Sequence, residues 1–183
     1  MFAGIMAALG AVPAWAPFGL AVPITAQSIG PMLAGSLIGA RRGFAAMALF
    51  LVLVAAGLPL LAGGRGGIGV FAGPSIGYLI AFPLSALVIG LIVERELPRF
   101  RLPVALAANL LGGIGVSYLL GIPGLIVRAG LPPDAALLSG LAFLPGDLLK
   151  VVLATAVASG VHAAYPRFAD EARTRREQHS SRQ

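Results

Sequence analysis

The sequence predicts an all-α integral membrane protein, a bundle of six transmembrane helices with both termini in the cytoplasm. Three observations carry this. Only 11% of the 183 residues are charged and 58% are hydrophobic, so a soluble fold would lack the polar surface to cover itself. Met1 to Ala40 and Gly66 to Val93 hold no charge at all, and runs of that length read as membrane spans rather than core helices. The basic residues gather in short clusters between the apolar runs, as loops at a membrane surface do.

Breaks at Pro, Gly and Arg divide the chain into six segments, near residues 1–20, 26–40, 43–61, 73–94, 102–124 and 145–165. The second is short for a crossing at about 1.5 Å per residue, so it is a partial span or is completed by its flanks. Together they make one domain, residues 1–165, followed by a charged cytoplasmic tail, 166–183. With both ends inside, the inner segments carry Arg41 and Arg42, then Arg95, Arg99 and Arg101, then five Arg in the tail. The outer segments carry only Arg65 and Arg128. Ten against two fixes the orientation by the positive-inside bias. Lys150 falls inside the sixth segment.

This distribution also argues against nucleic acid as a partner, despite the net charge of +6. The arginines face loops and lipid headgroups rather than forming one basic surface. With no Cys, disulfides, thiolate metal sites and iron–sulfur clusters are excluded. The opening MFAGIMAALG lacks the charged region of a cleaved signal peptide. His162 and His179 stand apart, with no HExxH and no paired carboxylates, and Ser117 and Ser139 have no base partner. No catalytic residue, metal ligand or cofactor is expected, and the protein is not read as an enzyme.

Small residues recur at helical spacing: Ala3, Ala7 and Ala11 on the first segment, Gly35 and Gly39 on the second, Gly69, Gly73 and Gly77 around the start of the fourth. Such stripes let helix backbones approach closely in a membrane. Packing within the bundle explains any one of them, and the Ala stripe also fits a docking face for another membrane protein.

Ionisable groups inside the span are the costly feature. Each costs about 2.5–3.5 kcal/mol at mid-membrane on insertion scales, and such residues usually face a cavity and carry function. In FLPGDLLK, residues 143–150, Asp147 and Lys150 stand three apart and so share a helix face. Pro145 suits a first helical turn, which puts both charges within about two turns of the outer helix end, roughly 10 Å or less deep. They make either a self-contained ion pair or part of a larger polar site. Other polar groups favour the larger site. The glycine-rich GGRGGIGVFAGPSIGY, residues 63–78, brings Arg65 and Tyr78 to an outer loop and helix start, and PITAQ, residues 23–27, brings Gln27 to another. GGRGGIGVFAGPSIGY has no GxxxxGK[ST] and no strand before it, so it is not a nucleotide loop. Asn109, in the fifth span, fits an interhelical hydrogen bond or a ligand contact equally well, and Tyr118 reads as an interfacial anchor.

Three motifs then match a known family in order and spacing: VPITAQSIGPMLAGSLIGARRG, GLPLLAGGRGG followed by GPSIGYL, and PGDLLK. From the Ala stripe through Ala164, the chain resembles BioY, the biotin-specific substrate-binding (S) component of energy-coupling-factor (ECF) vitamin transporters. It departs from the family's GPTGGY, which here reads GPSIGY with Ser75 and Ile76, a change bearing on loop mobility. The resemblance implies a six-helix bundle in the cytoplasmic membrane of a prokaryote, binding biotin in an outward-facing pocket beneath the first and third loops. It implies as partners a transmembrane coupling subunit and two ABC-type ATPases, with Ala3, Ala7 and Ala11 docking on the coupling subunit. The site it implies comprises Asp147, Lys150, Arg65, Tyr78, Asn109 and Gln27. A carboxylate accepts from the ureido N–H of biotin and an ammonium donates to its ureido oxygen, leaving the valerate to Arg65 or Gln27. The reverse orientation, with Lys150 on the valerate, balances the charges as well. The other readings are an S component for a different small vitamin and a membrane scaffold whose Asp–Lys pair only pins helices.

Overall fold

Small side chains inside and large aliphatic ones outside dictate the architecture: backbones meet at Gly and Ala, and Leu and Val face outward as they would toward lipid. The computed structural model describes residues 1–13, 24–97 and 99–164. Among these residues the regular secondary structure is helical, with isolated bridges only, such as that between Leu61 and Arg65. In chain order the helices are α1 Phe2–Gly10, α2 Ile29–Ile38, α3 Ala40–Ala55, α4 Ile76–Glu96, α5 Leu102–Asn109, α6 Ser117–Ala129 and α7 Pro133–Ala164. Short 3-10 turns cover Ala26–Ser28 and Ile68–Ala72, and a π-helical stretch, Leu110–Val116, joins α5 to α6 without a break. Ile76–Glu96, Leu102–Ala129 and Pro133–Ala164 are each long and apolar enough to cross a membrane.

The element limits differ from the sequence expectation at four places. The residues of the first segment beyond Pro13, and the tail with His179, lie outside the described residues; within them, α3 ends at Ala55 rather than near residue 61. Helix α3 starts at Ala40 and takes Arg41 and Arg42 into its exposed first turn. Gly39, at φ +80°, breaks the chain between α2 and α3, and the Glu94 carboxylate accepts from the Ala40 N–H at 3.0 Å. A carboxylate at a helix start is favourable, so α4 caps α3. The fifth segment runs on to Ala129, where Gly130 stops it in the left-handed conformation.

The fourth difference matters most for the site: the last helix begins at Pro133, twelve residues before Pro145. Pro145 is therefore interior, and Asp147 lies roughly 20 Å along the helix from its start. The expected position in the first two turns is corrected by this. Pro145 lies on the exposed face of α7, one turn after exposed Leu141, and helices in a bilayer tolerate an interior proline.

Helix α4 is the centre, packed against α2, α3, α5 and α6. Gly35 of α2 sits against Ala86 and Ile89 of α4, Gly90 of α4 against Gly39 and Ala40, and Gly77 against the Leu120 carbonyl and Gly121 of α6. Each contact leaves no room for a Cβ. Gly77 thus packs helices, whereas Gly69 meets nothing and Gly73 only the Val70 carbonyl. On α7, Ala136, Gly140, Phe143, Asp147, Val151, Ala154 and Ala158 form one buried stripe, while Leu141, Leu148, Leu149, Val152 and Val157 are exposed.

Candidate functional site

Asp147 stands on the buried stripe of α7, so its carboxylate enters the bundle rather than the lipid face. Its Oδ1 accepts from Lys150 Nζ at 2.9 Å, and its Oδ2 accepts from the Tyr118 hydroxyl of α6 at 3.0 Å. Lys150 also donates to Ser28 Oγ, at the start of α2, at 2.8 Å. Side-chain exposures of 12% for Asp147 and 15% for Lys150 set this pair apart from surface ion pairs, which contribute little.

The walls are aromatic and apolar. The ring of Tyr78 lies against Gly121, where any side chain would collide with it, and meets Phe143 edge-on with centroids 5.9 Å apart. Phe143 precedes Asp147 by one turn on the same stripe. Tyr78 thus lies one turn from the Asp147–Tyr118 contact on both α6, at Gly121, and α7, at Phe143. Tyr78 OH is buried and, among the described residues, has no hydrogen-bond partner; nor has Ser75 Oγ, one turn earlier. A buried hydroxyl without a partner costs about 1–3 kcal/mol, and a ligand polar atom would remove that cost. Gly146, beside Asp147, approaches only Ile24, keeping the backbone open there.

The remaining residues predicted for the site take other positions. Gln27 is 2% exposed; its Nε2 donates to the carbonyls of Met6 and Leu60, at 3.0 and 2.8 Å, and its Oε1 accepts from Ala62 N–H at 3.0 Å. Both donors are used in tying α1 to the loop after α3. Arg65 is exposed on that loop, with Nε donating to the Ala62 carbonyl at 3.2 Å. Asn109 is fully buried two turns below the Asp147 level: its Nδ2 donates to Thr155 Oγ1 at 3.0 Å and its Oδ1 accepts from Ser36 Oγ at 3.3 Å. Of its two readings, the interhelical bond is the one with partners in this structure.

Tyr118 corrects the interfacial-anchor expectation, because its hydroxyl is bound to Asp147. Ser28 and Phe143 also went unsingled in the sequence. Ser28 directly follows PITAQ, and Phe143 opens the motif that carries Asp147. Ser117 Oγ lies 3.4 Å from Ser85 Oγ, and Ser139 bonds back to the Ala135 carbonyl. His162 Nε2 donates to the Ser36 carbonyl at 2.9 Å, its ring stacked on Phe100 at 4.5 Å. On α1, Phe2, Met6 and Gly10 are buried, Ala3 and Ala7 half-buried, and Ala11 exposed.

Residues 1–167 match the BioY family. The biotin transporter BioY of Rhodobacter capsulatus is 52% identical over 170 residues, covering 86% of this chain and 87% of that protein. The biotin transporter BioY of Rhizobium etli is 42% identical over 171 residues, covering 91% of each. The crystal structure of the S-component for biotin from an ECF-type ABC transporter aligns with a TM-score of 0.85 at 31% identity, over 88% of this chain and 87% of that one.

Proposed function

Because the chain belongs to the BioY family, we propose that it binds biotin and takes it up across a prokaryotic membrane as the S component of an ECF-type transporter. It is a transport protein and not an enzyme. The observation that carries the site assignment is the Asp147–Lys150 pair on the buried stripe of α7, held by groups from α2 and α6 yet retaining hydrogen-bonding capacity. Biotin's ureido ring offers one carbonyl acceptor between two N–H donors, which complements a carboxylate beside an ammonium. Tyr78 and Phe143 supply the apolar wall for the fused rings, and the unpartnered Tyr78 hydroxyl a further polar contact. Arg65, exposed on the loop after α3, is the cation free to reach the valerate. Gln27 and Asn109 act by holding the framework.

A titration of the purified protein with labelled biotin tests the reading. Affinity no tighter than millimolar would sink it, and preference for another vitamin would leave the frame with a different specificity.

Six crossings with both termini cytoplasmic remain the topology that fits the arginine distribution. Because the natural chain has no Cys, single cysteines at Gly64 and at the C-terminus can be labelled from either side of the cell membrane. Only the first should react from outside. The coupling subunit and two ABC ATPases would supply energy, with the Ala3, Ala7 and Ala11 side of α1 as the docking face. Ala7→Leu should then reduce co-purification with the coupling subunit while biotin binding persists.

A further inference from the structure

Resting on the biotin reading, we propose that Ser28 is a direct ligand donor: its hydroxyl and the remaining Lys150 N–H together hold one carbonyl oxygen of the bound ligand.

Proton counting leads there. An ammonium has three N–H groups and no acceptor. Two of those of Lys150 go to Asp147 Oδ1 and Ser28 Oγ, leaving one with no acceptor among the described residues. Ser28 Oγ uses an oxygen lone pair to accept from Lys150, so its single O–H is not consumed by that bond. Among the described residues it has no acceptor either. Two unused donors on atoms 2.8 Å apart can both reach a position beside that bond, which suits an oxygen with two lone pairs. A carbonyl provides that; an N–H group does not.

The local field points the same way. Ser28 precedes the first turn of α2, so the ammonium lies against the positive end of that helix, where a cation is disfavoured. Asp147 offsets part of this, but one of its oxygens is shared with the Tyr118 hydroxyl. A partly negative ligand oxygen between Lys150 and Ser28 offsets more. The acceptor side of Asp147 then meets the N–H beside that carbonyl, which orients the ureido ring with its oxygen toward α2.

Ser28 is also held well enough to serve. Neighbouring Gln27 is fixed by three hydrogen bonds to Met6, Leu60 and Ala62, which tie the 3-10 turn carrying Ser28 to α1 and the loop after α3.

The test is isotope-edited infrared spectroscopy of biotin labelled at the ureido carbonyl, bound at saturation to the wild type and to Ser28→Ala and Ser28→Thr. Losing a donor should move the carbonyl band of the Ser28→Ala complex to higher frequency and weaken binding about tenfold. Ser28→Thr, which keeps the hydroxyl, should hold the wild-type band. An unmoved band in Ser28→Ala overturns the assignment even if affinity falls, because a merely structural serine would not touch the carbonyl. If the wild type takes up no labelled biotin, the biotin reading fails and the assignment with it.

Discussion

Of the buried polar clusters among the described residues, two are built by the same three rods of helix, each with its own chemistry. At the upper level α2 offers Ser28, α6 offers Tyr118 and α7 offers Asp147 with Lys150. At the lower, α2 offers Ser36, α5 offers Asn109 and α7 offers Thr155. The spacing is eight residues on α2 and eight from Asp147 on α7, about 12 Å of helix. The chemistry separates them. The lower cluster is neutral and fully buried, and the oxygen and nitrogen of Asn109 each have a partner, the pattern of an interhelical fastening. The upper one is charged and keeps donors and lone pairs unspent. Inside a membrane a charged pair usually pairs within the bundle or faces a cavity; a neutral cluster does not need one.

Substitutions should therefore split by level. The largest effect belongs to Lys150→Ala, which removes a charge-assisted donor and should lower biotin affinity about a hundredfold with the thermal unfolding midpoint nearly unchanged. Normal binding in a titration would make the upper cluster a staple like the lower. Tyr118→Phe is intermediate: losing the hydroxyl frees Asp147 Oδ2 and should weaken biotin about tenfold. Thr155→Val should give the smallest change in binding, within about twofold, while costing roughly 0.6–1.7 kcal/mol of stability in the membrane. A large loss of affinity in that variant would merge the two levels into one functional unit.

The charged level was legible in the sequence because Asp147 and Lys150 are expensive in an apolar run, and cost is visible without coordinates. The long apolar helices were legible for the same reason. Ser28 and Tyr118 were not, since a serine or tyrosine has many inexpensive positions at a membrane and spacing alone cannot choose one. Gln27 is a different case. A polar side chain near a loop suggested a ligand contact, but three backbone groups from two other segments claim it. The early start of α7 was hidden by Pro145, which marks a helix start in water but is tolerated mid-helix in a membrane.

The π-helical stretch between Asn109 and Tyr118 carries a consequence for chain length. Nine residues of ordinary α-helix make two and a half turns, which would aim Tyr118 away from α7 whenever Asn109 faced it. The wider π turn takes up about one residue, bringing the two side chains to within roughly 80° of each other. The chain thus holds one spare residue, and holds it between its two polar levels. Deleting Gly115, where a side chain would meet only the Leu110 carbonyl at 3.9 Å, should let the stretch relax to α-helix and leave biotin binding within a few-fold of wild type. Deleting Val152 on α7, where there is no such slack, would swing Ala154, Thr155 and Ala158 about 100° out of the buried stripe relative to Asp147 and should lower the thermal unfolding midpoint far more than the Gly115 deletion. Among relatives of this fold, single-residue length differences are expected in this stretch and nowhere else between the two levels.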